Sequence, residues 1–514
     1  MQVVIRADAS RAIGTGHVMR CLTLATALRE RGAEVTFISR MHEAHLGALI
    51  GGQGFGLHRL PPRAGSGSPD SPTDGWLGAT WDADAEETID ALRRSGDVAW
   101  LVVDHYAIDH RWEERVRPFA QRLFVIDDLA NRAHDCDLLL DQNLVASMGT
   151  RYDGLVSRSC ALMLGPAYAM LQPDFREMRR EVRARSGSIR SILISFGGAD
   201  ADNLTGRALA AFLGLHRADV HVDVVVGTAN PWGPSLREQS AGCSNVTIHT
   251  ALPTLAPLMS KADLAIGAAG STTWERLCLG LPALVVTQAD NQRPIAEAIS
   301  DHRLARWLGD ASTVTEEDFA AAMRALLEQD LAPDWSRRCL AVVDGRGVDR
   351  VAAALLLTRE TALRVRPVTE SDEALLLEWA NDRLTRQNAF SSAPISASEH
   401  QEWFRRRLGD SDGCRIYIAE TLDGVPVGQV RFDHRLADWR ISYALAPQFR
   451  GQRLGRRLLD LGIRELARAE EGATLVAEVK GSNEASRRVF DSLGFTSTRI
   501  DEDVIVYRRS ASPT

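Results

Sequence analysis

Apolar residues fall into short runs separated by stretches of helical period. "VVI" near the N-terminus is followed by Val18, Cys21, Leu22, Ala25 and Leu28 at helical spacing, with Gly32 as a stop. The pattern predicts a strand and then a helix from His17 to Arg31. "EVTFIS" (34–39), "AWLVVD" (99–104), "RLFVID" (122–127) and "LLLD" (138–141) read as further strands. Strands alternating with helices predict a parallel sheet with helices on both faces. A second such series runs through "SILISFGG" (191–198), "VHVDVVVG" (220–227), "VTIHT" (246–250), "ADLAIGAAG" (262–270) and "ALVVT" (283–287). Two units of this kind in tandem place strand ends on either side of a cleft. From about residue 362 the pattern changes: "RIYIAE", "GVPVGQVRF" and "WRISYAL" read as antiparallel strands, followed by a helix and then "ATLVAEV" and "VIVYRR".

The predicted organisation is an N-terminal Rossmann-like domain (1–165), a second one (166–350), a connector (351–361) and an α+β domain (362–510). Residues 61–74, rich in Pro, Gly and Ser, read as a surface loop, and the tail "RSASPT" as frayed. Composition adds exclusions. A chain of 514 residues is too long for one core, and its net charge of −8 gives no general affinity for nucleic acid or anionic membranes. The seven cysteines are scattered with no C-x-x-C, which argues against a disulfide framework and against a zinc site. No apolar run approaches the roughly 20 residues of a membrane span, and the chain enters a strand directly, so the expected location is the cytoplasm.

The chemistry gathers at strand ends. "IGTGHVMR" puts Gly14 and Gly16 in a tight turn and His17 on the first turn of a helix. The positive end of that helix disfavours a second positive charge, so the imidazole is a candidate general base. Arg6 and Asp8 close the first strand, Asp104 and Tyr106 another, and Asp127 and Asp128 a third. Each alone is ordinary turn chemistry. Together they mark the edge where ligands bind in this architecture. In the second half, "SFGGADADNLT" offers Gly197, Gly198 and Asn203, and Gly270, Ser271 and Thr272 open a helix whose N–H groups can hold a diphosphate. Glu275 lies one turn on, in reach of ribose hydroxyls, and Asn291 and Gln292 follow the next strand. Asp200 and Asp202 have metal-ligand spacing, but Asn203-Leu-Thr beside them reads better as a helix cap, so no metal is expected.

"IRADAS…IGTGHVMRCLTLA", "VVDHY", "IDDLANR…CDLLLDQN", "GPAYAMLQPDF" and "AAGSTTWE" resemble the nucleotide-sugar hydrolases of pseudaminic acid biosynthesis over about residues 1–350. The resemblance implies a glycosyltransferase B-type arrangement of the two halves and a UDP-sugar substrate. It also implies His17 as the base that activates water at the anomeric carbon; Asp8, at the strand end next to the turn, is a further catalytic candidate. "YALAPQFRGQRLGRRLL" (443–459) and "VKGSNEASRRVFDSLGF" (479–495) resemble the two motifs of GCN5-related N-acetyltransferases. This implies acetyl-CoA as co-substrate, held by Leu445, Arg450, Gly451, Gln452, Arg453, Gly455, Arg456 and Asn483. Arg453 stands where the motif has a glycine. Phe490 stands where many members carry an acidic tyrosine, so the thiolate must take its proton from another group or from water. "EWANDRLTRQNAFSSAPISASEHQEWF" (378–404) resembles the substrate segment of amino-sugar acetyltransferases, which makes Asn381, His400 and Trp403 candidate sugar contacts and Glu420 a candidate water-linked base. The combined expectation is a two-step enzyme acting on UDP-amino sugars, with neighbouring enzymes of the same pathway as possible partners. The rivals are an inverting glycosyltransferase and a sugar-nucleotide sensor carrying a degenerate acetyltransferase module.

Overall fold

A computed structural model describes residues 1–62, 74–198, 200–227, 230–250, 252–410, 412–470, 472–501 and 503–511. The loop predicted at 61–74 lies largely outside these. The chain divides into two compact units, Met1–Ala352 and Ala353–Thr514.

The first unit contains two parallel sheets. Strands β1 (Gln2–Ala7), β2 (Glu34–Arg40), β3 (Gly56–Leu60), β4 (Val98–Asp104), β5 (Arg122–Ile126), β6 (Leu138–Asp141) and β7 (Ala161–Leu164) lie in the order β3-β2-β1-β4-β5-β6-β7. Strands β8 (Ser191–Ser195), β9 (His221–Val226), β10 (Val246–Thr250), β11 (Leu264–Ala268), β12 (Ala283–Thr287) and β13 (Arg306–Asp310) lie in the order β10-β9-β8-β11-β12-β13. Each order reverses once, between β1 and β4 and between β8 and β11. Loops that diverge at such a reversal open a crevice at the carboxyl ends of the strands. The central strands are apolar on both faces, as burial under helices on both sides demands: Val3, Val4 and Ile5 of β1 and every residue of β11 and β12 are buried.

Helix Gly347–Leu356 ends the second half and returns to the first. Asp349 bonds Arg31 and Arg176, each at 2.6 Å, and a Cβ at Gly347 would lie 2.2 Å from the Ala169 carbonyl oxygen. Residue 347 therefore has room only for glycine. The helix also occupies half of the stretch expected to be a connector (351–361), because Val351 to Leu355 are apolar and buried.

The second unit has one mixed sheet. Strands β14 (Leu363–Pro367), β15 (Cys414–Thr421), β16 (Pro426–Arg435), β17 (Asp438–Leu445), β18 (Thr474–Lys480), β19 (Thr496–Arg499) and β20 (Val504–Ser510) lie in the order β14-β15-β16-β17-β18-β20-β19. Helices Gly455–Ala469 and Glu484–Ser492 bury Leu458, Leu459, Ile463, Leu466 and Phe490 in its core. The tail expected to fray is held instead: the Ala511 N–H donates to the Ala473 carbonyl, and Ala511 is buried. Residues 512–514 lie outside the described residues. All seven cysteines are free thiols, with Cys136 and Cys160 closest at 3.6 Å between sulfurs. Among the described residues, no helix is long and apolar enough to cross a membrane.

Candidate active sites

The first crevice is built around His17. The chain leaves β1, folds back so that the Gly14 N–H donates to the Ser10 carbonyl, and starts helix Gly16–Glu30. Gly14 sits at φ +81°, which a side chain resists, and a Cβ at Gly14 or Gly16 would touch nothing within 4 Å. The turn is thus left open on its outer face. His17 is buried at 5% exposure. Its Nδ1 lies 2.5 Å from Asp104 Oδ1, across the strand reversal at the end of β4. Arg20, one turn along the same helix, bonds both oxygens of Asp104 at 2.6 Å and reaches Asp128 at 3.0 Å. Arg20 and His17 together outweigh the burial that would otherwise raise the Asp104 carboxyl and hold it well below the usual carboxylate range. An ionised carboxylate only accepts hydrogen bonds, so Nδ1 carries a proton, and Nε2 is the ring nitrogen whose lone pair is available in the neutral ring. Tyr106 packs edge-on to the His17 ring at 4.5 Å, and Trp76 lies 5.9 Å beyond it.

Three expectations change here. Asp104 is fully buried and fully engaged, so it orients His17 and has no free edge for a sugar. Arg6 is equally buried, paired with Asp8 at 2.5 Å and Asp84 at 2.8 Å, and contacts no open surface. Asp8 has no exposure: Oδ1 accepts from the Arg40 N–H at 2.7 Å, and Oδ2 faces His42 and His105 at 3.6 and 3.5 Å. It anchors the floor of the crevice through Oδ1. Burial pushes the His105 imidazole down to about 4, which keeps this floor from gaining a further positive charge at neutral pH. Arg20 and Asp128 are the members that sequence reading left without a role. The i, i+3 spacing of His17 and Arg20 is the signal that would have paired them.

The second crevice lies at the ends of β8, β11 and β12. Gly197 and Gly198 are exposed after β8. Asn203 proves to be a helix cap: its Oδ1 accepts from the Gly206 N–H at 3.2 Å, beside Asp200, which accepts from Leu204 and Thr205. The cap engages Asn203 Oδ1, and Asp200 serves in the same cap. Gly270, Ser271 and Thr272 lead into helix Thr272–Cys278. Ser271 makes no side-chain cap there. Buried Arg276 ties the turn down through the Ala268 carbonyl at 2.8 Å and Thr272 Oγ1 at 3.2 Å. Gln292 folds inward, its Oε1 accepting from the Gln288 N–H at 3.0 Å and its Nε2 beside Gly270, while Asn291 is exposed.

Glu275 is half-buried, and desolvation pushes its carboxyl up from 4.5 to about 7. Between those values the folded chain holds a proton that the unfolded chain has released, so stability falls as pH rises through that window. Glu275→Gln is expected to melt above the wild type at pH 8 and to match it at pH 5, as read by thermal denaturation.

In the second unit, the turn after β17 leads through Arg450, Gly451 (φ +77°) and Arg453 (φ +61°) into helix Gly455–Ala469. The first N–H groups of this helix are unused by its own ladder. Residues 362–496 match the acetyltransferase (GNAT) domain family. The second unit is a GNAT domain. An uncharacterized protein of Methanocaldococcus jannaschii is 23% identical over 517 residues, 97% of each chain. The UDP-2,4-diacetamido-2,4,6-trideoxy-beta-L-altropyranose hydrolase of Campylobacter jejuni is 24% identical over 297 residues, 58% of this chain and 95% of its own. A MurG of Acinetobacter baumannii superposes with a TM-score of 0.49 at 16% identity, covering 69% of this chain and 98% of its own. The chain thus joins a homologue of the Campylobacter hydrolase to a GNAT domain.

Within the GNAT domain the candidates divide. Gly451, Arg453 and Arg456 are exposed at the helix start, and Leu445 is half-buried at the end of β17. Arg453 takes the left-handed backbone that the motif's glycine would adopt freely. Arg450 instead pairs with Asp382 at 2.6 Å and Thr385 at 2.9 Å, and Gln452 donates to the Ala354 carbonyl at 3.3 Å, so both side chains brace the loop. Asn483 caps helix Glu484–Ser492 by accepting from the Ser486 N–H at 3.1 Å. Asn381 holds both backbone groups of Ile395 at 2.8 Å, which fixes a loop and leaves no sugar contact on those atoms. His400 is buried and stacked on Phe404, whereas Trp403 is half-buried under Arg431 at 5.2 Å. Glu420 faces Arg364 directly across the β14–β15 ladder and bonds Arg364 at 2.8 Å and Arg366 at 3.0 Å. Both carboxylate oxygens of Glu420 are thus engaged by guanidiniums, Oε1 by Arg364 and Oε2 by Arg366.

Proposed function

We propose that the chain carries out two consecutive steps on a UDP-amino sugar in the cytoplasm. The GNAT domain transfers acetyl from acetyl-CoA to the 4-amine of UDP-4-amino-4,6-dideoxy-N-acetyl-β-L-altrosamine. The first unit then hydrolyses the resulting UDP-2,4-diacetamido-2,4,6-trideoxy-β-L-altropyranose at the C1–O bond. The observation that carries the second step is the His17–Asp104 pair at the first strand reversal. His17 Nε2 takes a proton from water as the oxygen attacks the anomeric carbon from the face opposite the diphosphate. The C1–O bond breaks, UDP departs, and the configuration inverts. Asp104 stabilises the imidazolium that forms, and Arg20 keeps Asp104 ionised. The diphosphate is assigned to the Gly270–Thr272 turn and Gly197–Gly198, with Glu275 and the exposed Asn291 near the nucleoside. In the GNAT domain the free N–H groups at Gly455, with Arg453 and Arg456, suit the pyrophosphate of coenzyme A.

The test is to incubate the pure protein with the 4-amino nucleotide, with and without acetyl-CoA, and to identify products by mass and NMR. Free diacetamido sugar and UDP appear only when acetyl-CoA is present. Turnover that needs an added sugar or lipid acceptor would replace hydrolysis by glycosyl transfer, and absence of thiol release would reduce the GNAT domain to a binding module.

A further inference from the structure

Acetyl transfer leaves a thiolate that needs a proton, and Phe490 has none to give. Strands β17 and β18 pair only from Asp438–Arg440 to Thr474–Val476. Beyond that point they part, and β17 continues to Leu445 on β16 alone. The gap between them opens toward the start of helix Gly455–Ala469. Two hydroxyls meet at that gap: Tyr443 on β17 and Ser486 on the first turn of helix Glu484–Ser492, with Oη and Oγ 3.2 Å apart. The Tyr443 ring lies against the helix start, since a Cβ on Gly455 would sit 3.8 Å from its Cε2. Phe490 meets the same ring edge-on at 5.9 Å. Tyr443 and Ser486 are both half-buried. Three other side chains among the described residues that could carry a proton are placed elsewhere. Tyr507 is in the core, stacked on Phe490, and Tyr417 packs on Phe432. His434 stacks on Trp439 at the far end of the hairpin.

We propose that Tyr443 is the general acid of the acetyl transfer, with Ser486 as its proton relay. The inference rests on the reading of this unit as an acetyltransferase. The neutral amine attacks the thioester carbonyl, and collapse of the adduct breaks the C–S bond and sends its electron pair to sulfur. Tyr443 Oη gives its proton to that sulfur and is reprotonated from Ser486 Oγ. Ser486 recovers a proton from solvent, which has received the one lost by the amine nitrogen. The products are an amide and a free thiol with no net change in protons. Burial pushes the Tyr443 hydroxyl above its ordinary range, so it stays protonated at neutral pH.

The test uses the full chain, acetyl-CoA and the 4-amino sugar nucleotide, with thiol release as readout. Tyr443→Phe is expected to lower kcat about 100-fold, to change the KM for acetyl-CoA less than about twofold, and to remove the alkaline limb of the pH profile. Hydrolysis of the diacetamido nucleotide continues at the wild-type rate. Adding Phe490→Tyr to that variant restores at least about a tenth of the lost rate, because a hydroxyl returns beside the same ring. Ser486→Ala, a milder change at a half-buried site, lowers kcat about tenfold. An active wild type with an equally active Tyr443→Phe overturns this proposal alone. A rate loss matched by a rising KM, without rescue, does the same and makes Tyr443 a packing residue. A wild type that releases no thiol overturns the acetyltransferase reading and this proposal with it.

Discussion

His17→Asn stops UDP release, lowering the hydrolytic rate by at least about 10³-fold, while acetyl transfer by the same molecules proceeds at wild-type speed. Asparagine keeps a polar group of similar length at the helix start but cannot accept a proton at neutral pH. The loss should fall on kcat, since nothing in the geometry gives His17 a share in holding the nucleotide. Thiol release from acetyl-CoA is the internal control. A variant that loses both activities has lost its fold, whereas one that hydrolyses at the normal rate removes His17 from the mechanism.

The second large effect is expected at Asp104. Asp104→Asn replaces the acceptor beside Nδ1 with a side chain that can donate there, which turns the imidazole to the tautomer with its proton on Nε2. The lone pair that would receive the proton of water is lost, and kcat should fall about 10²- to 10⁴-fold with KM little changed. The same substitution strips Arg20 of its main partner at a largely buried site. Removing one member of a buried pair costs about 3–5 kcal/mol, so the melting temperature falls as well. Arg20→Met separates the two effects. It leaves the Asp104 oxygen on His17 while removing the guanidinium beside it, and is expected to cost stability more than rate. If Asp104→Asn hydrolyses like the wild type, His17 does not need its orienting partner.

The architecture could be read from hydrophobic period because central strands are apolar on both faces. The strands that escaped the reading are β3, β7, β13, β14 and β19, and each lies at the edge of its sheet. An edge strand packs on one neighbour and carries polar residues such as His58, Arg59 and Arg306. All four residues of β19 are exposed. Site chemistry divides along a similar line. His17, the Gly270 turn and the Gly455 helix start follow from local sequence, because a turn and the helix after it are consecutive residues. Partnerships across the fold do not. Asp84 lies 78 residues from Arg6 and 44 from Arg40, and Glu420 lies 56 from Arg364. Packing of helix Trp81–Ser95 on the first sheet brings Asp84 to Arg6 and Arg40, and strand register brings Glu420 to Arg364, so Arg6, Asp8 and Glu420 looked available when they are engaged.

Helix Gly347–Leu356 governs how the polypeptide can be cut for separate study. A hydrolase fragment ending at residue 346 would lack Asp349, leaving Arg31 and Arg176 without that carboxylate. An acetyltransferase fragment beginning at residue 358 would lack the Ala354 carbonyl that Gln452 uses. Overlapping fragments that both retain 347–357 are the truncations to express, and a clean split on either side would mistake a severed helix for dependence between the two reactions.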